Sequence, residues 1–189
     1  LGFNYYFGQG VEADQAKGKE YFDKAIALGC MDGYYGLGQI ASDEGDLTTA
    51  MEDYEMAAEK GAEPLYMGGA MSQIGGMYYL GIGVEQDYVK AAEWYEKAAN
   101  QGNVDAMTLL GSQYLTGTGT EENQMEVAKW LQKAADLGNT YAMLWLGQMN
   151  YYANNMEKAV EWYQKAAEQG NINAMNELAN MYENGLGVD

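Results

Sequence analysis

The apolar residues of the chain recur at helical spacing in short segments, which are separated by turns containing glycine. In the segment 70–80, Ala70, Ile74 and Tyr78 are spaced i, i+4 and i+8, so they share one face of a predicted helix A. A second segment begins at Asp87 and carries an apolar stripe at i, i+4, i+7 and i+8, which predicts a helix B. The members of this second stripe are Ala91, Tyr95, Ala98 and Ala99.

The pair of helices recurs along the chain. The Lys-Ala-Ala run at 97–99 returns at 133–135 and 165–167, in steps of 36 (133 − 97) and 32 (165 − 133) residues, and Trp94, Trp130 and Trp162 keep these steps. Such periods indicate a repeat protein, so we predict one repeat domain over residues 1–189. Its repeats span 1–29, 33–61, 70–102, 106–138 and 142–170, with a partial repeat at 174–189. Because the array begins inside a repeat and the chain starts with Leu1, we expect a trimmed or processed chain.

The ends of the B helices are marked by residues that cap helices. A side chain able to accept hydrogen bonds from free backbone N–H groups precedes each B helix, and Asn123 with Glu126 resembles a capping box. These predicted caps are Asp14, Asp46, Asp87, Asn123 and Asn155. A glycine ends each B helix, at Gly29, Gly61, Gly102, Gly138 and Gly170.

Paired glycines mark the connection from helix A to helix B. They stand at 8/10, 81/83, 117/119 and 185/187. A phosphate-binding loop should occur once, follow a strand and open directly into a helix. These pairs follow a helix and occur four times, which predicts a structural turn.

The stretch from Ala70 to Gly102 resembles the Sel1-like repeat, a relative of the tetratricopeptide repeat. It matches the pattern A-x-x-x-L-G-x-x-Y-x-x-G-x-G-V-x-x-D-x-x-K-A-x-x-W-Y-x-K-A-A-x-x-G almost letter for letter. The resemblance implies an all-α fold, a right-handed α/α superhelix (solenoid) of about five and a half repeats. It also implies a scaffold or adaptor for protein complexes that is not an enzyme. Repeat two departs from the pattern because Asp53 takes the tryptophan position, and the A–B connection of repeat five is shorter by four residues.

The net charge and the residue types present limit which catalytic and binding sites this chain can form. Twenty-eight acidic residues against ten basic ones give a net charge of −18, and arginine and histidine are both absent. A catalytic set that uses histidine, a zinc site with a histidine ligand and an arginine phosphate clamp are therefore excluded. The negative charge disfavours nucleic acid, and no apolar stretch of about 18 residues predicts membrane insertion. We predict no cofactor and assign no compartment, and Cys30 alone cannot form an intramolecular disulfide.

Pairs of neighbouring acidic residues are the remaining candidates for a catalytic site. A general acid and base could be supplied by Glu12 with Asp14, by Glu121 with Glu122, or by the pair 52–53. Their positions in repeat loops, at caps and on a repeated helix favour a solvated acidic surface instead. The 13 methionines are interpreted as core filling and not as a metal site.

The charges are distributed unevenly between the two helices of the repeat. All ten lysines lie in B segments, whereas the A segments 70–80, 106–116 and 142–152 contain no charged residue. The tetratricopeptide resemblance implies that helix A lines a concave groove. The implied groove positions are Phe3, Tyr6, Tyr35, Gln39, Ser72, Tyr79, Thr108, Ser112, Leu144, Gln148, Tyr151, Asn176 and Asn180, whereas Tyr5, Tyr78, Tyr114 and Tyr182 are expected in the core.

Two interpretations of the groove positions stay open. Their aromatic side chains either pack against the neighbouring helix A or present a surface that binds a peptide. The leading hypothesis is a scaffold that binds a protein or peptide, with acidic potential favouring a basic partner, and it predicts partial exposure of Tyr6, Tyr79 and Tyr151. The alternative is a structural unit that assembles into homo-oligomers through its terminal repeats.

Overall fold

The computed structural model describes residues 1–60, 62–116, 118 and 124–187, and these residues form eleven α-helices and no β-strand. Odd-numbered helices occupy the predicted A positions and even-numbered helices the B positions. Their bounds are α1 Gly2–Phe7, α2 Gln15–Ala27, α3 Asp32–Glu44, α4 Leu47–Glu59, α5 Pro64–Leu80, α6 Tyr88–Asn100, α7 Val104–Thr116, α8 Gln124–Asp136, α9 Thr140–Tyr152, α10 Met156–Glu168 and α11 Ile172–Glu183.

The chain divides into two compact units, Leu1–Ala106 and Met107–Asp189. In the first unit, consecutive helices pack against each other from α1 through to α6. Helix α3 also contacts both α1 and α5. In the second unit, α9 packs against α8 and α10, and α10 packs against α11. The all-α fold of packed helix pairs is confirmed, including the weakly marked second pair α3 and α4. That all 189 residues form one domain stays a prediction.

Three of the predicted caps of the B helices are confirmed. The carboxylates of Asp14, Asp46 and Asp87 each accept a backbone N–H from the following turn at 3.0–3.1 Å. The prediction is wrong for Asn155, whose side chain makes no capping hydrogen bond although α10 begins after it. This connection is the one shortened by four residues, and it turns through Asn154 in the left-handed conformation, with φ 61°. Connection length does not account for the missing cap, because the α3–α4 connection is shorter still and Asp46 enters α4 with φ −82° and ψ 77°, close to φ −93° and ψ 68° at Asn155.

The glycines that were predicted to end helices have the left-handed backbone that this role requires. Gly29, Gly102, Gly138 and Gly170 have φ values between 85° and 89°. The paired glycines 8/10, 81/83 and 185/187 also have positive φ and form turns after odd-numbered helices. The predicted positions Gly61, Gly117, Gly119 and Asn123 lie outside the described residues.

Asparagine caps three of the odd-numbered helices, α7, α9 and α11, and the sequence analysis missed these caps. Asn103, Asn139 and Asn171 each follow a glycine that ends a B helix, and each side chain accepts a backbone N–H three residues on at 2.8–3.0 Å. The recurring dipeptide Gly-Asn was the signal, because asparagine is a favoured N-cap. Each Gly-Asn pair therefore ends one helix and begins the next.

The glycine of the recurring Ile/Leu-Gly dipeptide makes room for a side chain of the paired helix B. A Cβ atom on Gly75 would lie 2.7 Å from Cδ1 of Tyr95, and one on Gly147 would lie 2.5 Å from Cδ1 of Tyr163. In the fourth repeat Leu131 replaces the ring, and a Cβ on Gly111 would lie 2.8 Å from its Cδ2. The motif therefore reflects close helix packing around buried side chains.

The recurring tryptophans lie under lysines of the same helix. The Nζ atoms of Lys97, Lys133 and Lys165 lie 3.9–4.3 Å from the ring centroids of the tryptophans three residues earlier. Such cation–π contacts contribute about 0.5–1 kcal/mol at exposed sites. Asp53 occupies this position in repeat two. Burial and the neighbouring charge of Glu52 raise the pKa of Asp53 to about 6, while Lys19 acts in the opposite direction.

We expect the substitution Asp53→Asn to stabilise the first unit by about 1 kcal/mol at pH 7, after allowing for solvent screening of this half-buried group. The raised pKa means that the folded state binds the proton more tightly than the unfolded state does. The ionised carboxylate therefore destabilises the fold above pH 6, and this cost disappears as the pH falls below about 4. Urea unfolding of the unmodified chain and of the variant, at pH 4 and at pH 7, measures the effect. Equal gains at pH 4 and pH 7 would refute it, and Glu55→Gln, which removes an exposed carboxylate of the same helix, is the control.

Candidate functional site

Four aromatic side chains from three odd-numbered helices meet on one surface of the first unit. We call Phe3, Phe7, Tyr35 and Tyr66 the aromatic cluster. The ring centroid of Phe3 lies 6.2 Å from those of Phe7 and Tyr35 and 5.9 Å from that of Tyr66. The rings of Tyr35 and Tyr66 lie 5.8 Å apart. Helices α1, α3 and α5 therefore share a continuous aromatic surface, of which Phe7 is 51% exposed.

The sequence brings these rings together through the short side chains around them. A Cβ atom on Gly69 would lie 3.1 Å from the ring of Tyr35, so this glycine lets the ring pack against α5. Tyr66 was missed by the sequence analysis because α5 begins at Pro64, six residues before the motif residue Ala70. Proline favours the first turn of a helix, and this was the signal for the earlier start.

Amide side chains lie beside the aromatic cluster. Gln39, one turn along α3, donates from Nε2 to the hydroxyl oxygen of Tyr35 at 3.0 Å. Burial raises the pKa of Tyr35, while a hydrogen bond with Gln73 acts in the opposite direction. The phenol is therefore neutral at physiological pH. Gln73 is exposed and Gln39 is half-buried, so the cluster is bordered by groups that can donate and accept hydrogen bonds.

Tyr6 is buried, and the expectation that it is partly exposed is wrong. Its side chain is 7% exposed and packs with Phe22 and Ile40. Its hydroxyl donates to Oδ2 of Asp43 at 2.7 Å, and burial together with this hydrogen bond raises the pKa of Tyr6 to about 12. Tyr6 therefore joins α1 to α3 and is not available to a partner.

Tyr79, near the C-terminal end of α5, is exposed, as the sequence analysis predicted. Tyr79 is 37% exposed and its ring makes an edge contact with Tyr88, with centroids 5.2 Å apart. Ser72, two turns earlier, is half-buried. Neighbouring Tyr78 is also half-buried and lies under Lys90, with Nζ 5.2 Å from the ring centroid.

Four motif tyrosines were expected in the core, and their observed exposure agrees with that expectation only in part. Tyr5 and Tyr114 are half-buried, like Tyr78. Tyr182 is 47% exposed, so the expectation of a core position is wrong there. Its hydroxyl accepts a hydrogen bond from Nε2 of Gln164 at 2.8 Å, which ties the ring to the surface of α10.

The second unit has its own set of predicted groove residues, and they differ in exposure. Leu144 is 6% exposed, which corrects its assignment to a binding surface, because α9 is packed between α8 and α10 and buries this apolar side chain. Tyr151 is 38% exposed. Asn176 and Asn180 are exposed, whereas Thr108, Ser112 and Gln148 are half-buried.

Each unit has an open cavity beside its odd-numbered helices. In the second unit, a cavity of about 460 Å³ brings Tyr151 and Asn180 together with Glu177 and Met181. In the first unit, an apolar cavity of about 410 Å³ lies against the aromatic cluster. It is lined by Leu1, Phe3, Phe22, Leu28, Asp32 and Tyr66, among others.

The acidic pairs do not form a catalytic constellation in the described part of the chain. Asp14 is engaged as a helix cap, Asp53 lies on α4 in a repeat position, and Glu121 and Glu122 lie outside the described residues. Among the residues that the structure describes, no group of three acidic or cysteine side chains could hold a metal ion. No helix in this part of the chain combines the length and apolar character needed to cross a bilayer.

Two of the solved structures similar to this chain are described as repeat proteins. The chain aligns over its full length with 41% of a protective antigen of uropathogenic Escherichia coli that displays an SLR fold, with 29% identity and a TM-score of 0.88. It thus spans about two fifths of that protein. A Sel1 repeat protein from Oxalobacter formigenes is 28% identical with a TM-score of 0.81, over 96% of this chain and 75% of the other. Helicobacter pylori cysteine rich protein B is 27% identical with a TM-score of 0.55, over 69% and 92%.

The family model for the Sel1 repeat matches residues 1–30, 69–103, 104–139, 140–171 and 172–189. The unmatched segment 31–68 contains the helix pair α3 and α4, which completes the array in the structure. A search of curated proteins found no match. Sel1 repeat proteins are generally scaffolds for protein–protein interactions, and the repeat is generally not catalytic. The matched repeats and the helix pairs together show that this chain belongs to the Sel1 repeat family.

Proposed function

We propose that this chain is a non-enzymatic scaffold that binds a partner protein or peptide on the surface of its odd-numbered helices. The observation that carries the proposal is the aromatic cluster, in which rings from α1, α3 and α5 form one surface. Aromatic side chains provide large contact areas at a small entropic cost, so they are favoured at binding surfaces. Amide groups at Gln39 and Gln73 add hydrogen-bonding capacity beside the rings.

The distribution of charge supports a partner with basic residues. All ten lysines lie on even-numbered helices or at their ends, and the chain has a net charge of −18. Asp32 of α3 lines the cavity against the aromatic cluster, and the charge of Lys24 of α2, which also lines it, is paired with Glu20. A basic segment approaching this surface therefore meets a favourable potential, which raises the rate of association.

Selection from a random-peptide display library tests this proposal. The bait is the full chain, and binding of the selected peptides is then measured with a triple variant, Phe7→Ala, Tyr79→Ala and Tyr151→Ala. These side chains are 37–51% exposed, so their removal should leave the fold intact. We expect at least a tenfold loss of affinity, because truncation of a hot-spot residue costs about 2 kcal/mol or more and tyrosine is enriched among such residues.

The matched control truncates exposed apolar residues of the even-numbered helices and their ends, Val89→Ala, Met125→Ala and Leu137→Ala. These side chains are 55–81% exposed. Binding by this control should equal that of the unmodified chain. If the control loses binding and the first triple variant retains it, the partner surface lies on the even-numbered helices and the proposal is wrong.

A second candidate function is self-assembly, and α11 provides the observation that favours it. Ile172, Met175 and Tyr182 lie on one face of this helix and are 44–70% exposed. An exposed apolar stripe of this kind is typical of an interaction surface. Light scattering across a concentration series tests the idea. A mass that rises with concentration, and that falls to the monomer value in Met175→Glu, would support assembly, whereas a constant monomer mass would exclude it.

A further inference from the structure

Helix α3 carries a stripe in which two carboxylates flank an aromatic and an amide side chain. Asp32, Tyr35, Gln39 and Asp43 follow the spacing i, i+3, i+7 and i+11, which keeps all four on one side of the helix. At a rise of 1.5 Å per residue, the two aspartates are separated by about 16 Å along the helix. The stripe therefore has an acidic group at each end and uncharged groups between them.

Neighbouring elements hold both carboxylates in place. Oδ1 of Asp32 accepts the backbone N–H of Glu63 at 2.8 Å, and Oδ2 accepts from Sγ of Cys30 at 3.5 Å. Oδ2 of Asp43 accepts from the hydroxyl of Tyr6 at 2.7 Å. A carboxylate can accept about four hydrogen bonds, so each aspartate is positioned and still has capacity for a ligand. Asp43 is exposed and Asp32 is half-buried.

The space between the two aspartates is occupied by the aromatic cluster. Tyr35 contacts Phe3 and Tyr66 across the surface, with ring centroids 6.2 and 5.8 Å away. The open apolar cavity that Asp32 helps to line lies next to these rings and could receive one apolar side chain. The middle of the stripe thus suits apolar ligand groups, whereas its ends suit cations.

We propose that this surface binds a polyproline-II peptide segment with two lysine or arginine residues six positions apart and apolar residues between them. A polyproline-II chain has three residues per turn and advances about 3.1 Å per residue, so residues six positions apart share one face at about 19 Å. Their long flexible side chains can converge on the aspartates, which are roughly 16 Å apart. The inference rests on the proposed function and specifies its partner in the first unit. Peptide orientation is left free, because the stripe has the same charge at both ends.

Fluorescence anisotropy with labelled peptides tests the inference on the full chain. The probe Lys-Pro-Leu-Pro-Phe-Pro-Lys should bind, and its affinity should fall as salt is added. Replacement of both lysines by glutamate should abolish binding, and a probe with the lysines three positions apart should bind at least threefold more weakly. Equal binding of the lysine and glutamate probes, or no binding of the lysine probe at millimolar concentration, would overturn the inference.

Charge-neutral variants of the protein locate the contact. Asp32→Asn and Asp43→Asn keep hydrogen-bonding side chains. Each should lower the affinity for the lysine probe two- to fivefold, as expected for a solvent-exposed charge pair at the rim of an interface. Asp23→Asn on α2 removes a charge that is exposed, like that of Asp43, and should have no effect. Unchanged binding by both stripe variants would overturn the inference. If display-selected peptides still depend on Phe7 and Tyr79 in that case, the proposed function stands without this partner specificity.

Discussion

Replacement of Phe22 by alanine should destabilise the first unit by about 3–5 kcal/mol, the usual cost of removing a buried aromatic side chain. Phe22 is 5% exposed and belongs to the buried cluster with Tyr6 and Ile40. Its ring also supports Phe3 through an edge contact, with centroids 4.8 Å apart. Urea unfolding followed by circular dichroism measures the change, and a second readout is the loss of peptide binding by the loosened aromatic cluster.

The adjacent residue supplies the control. Tyr21 is half-buried, stacks on Tyr5 with centroids 5.4 Å apart and lies under Lys24. Tyr21→Ala should cost about 1 kcal/mol, because much of this ring already contacts solvent. Similar losses at the two positions would mean that the core of this unit is not organised around Phe22, and the described packing would then be wrong.

The second large effect should come from adding a single methyl group at Gly75. The new Cβ would lie 2.7 Å from the ring of Tyr95, which is 3% exposed, and 3.3 Å from the carbonyl oxygen of Ala91. Overpacking a rigid core costs about 1–3 kcal/mol, whereas glycine to alanine in a helix gains about 1 kcal/mol. Gly76→Ala obtains the same helical gain without the clash, because its Cβ would meet only the hydroxyl of Tyr95 at 3.8 Å.

The difference between the two alanine variants therefore isolates the packing cost. We expect Gly75→Ala to be less stable than Gly76→Ala by about 1–3 kcal/mol in chemical unfolding. Because both substitutions lie next to each other on α5, their effects on the unfolded chain are matched. Equal stability of the two variants would contradict the close approach of α5 and α6 at this glycine.

Much of the fold could be predicted because the repeat places the same physical requirement at each copy. The capping carboxylates at 14, 46 and 87 and the left-handed glycines are local features, and local features follow from short stretches of sequence. Asn155 departs from this rule, and neither connection length nor backbone conformation explains it, because Asp46 caps α4 after a shorter connection with nearly the same φ and ψ. The early start of α5 was missed because the motif begins at Ala70, well inside the helix.

The candidate site was harder to predict because exposure depends on neighbouring helices. Tyr6 and Tyr79 belong to similar tyrosine pairs in the sequence, yet one is buried under α3 and the other is exposed on α5. The position of Asp43, which accepts the Tyr6 hydroxyl, is 37 residues away and has no signal in the periodicity. The aromatic cluster likewise depends on three helices. Phe3 and Tyr35 were among the implied groove positions, whereas Phe7 and Tyr66 became apparent only in the structure.

The central claim, that a partner binds on the odd-numbered helices, is tested most directly by photo-crosslinking. A display-selected peptide carrying benzoylphenylalanine is irradiated with the full chain, and the crosslinked residues are identified by mass spectrometry. We predict crosslinks within α1, α3 and α5, centred on Phe7, Tyr35 and Tyr66, or on the corresponding helices α9 and α11 beside Tyr151. Crosslinks concentrated on the lysine-bearing helices, around Trp94 or Trp162, would contradict the account.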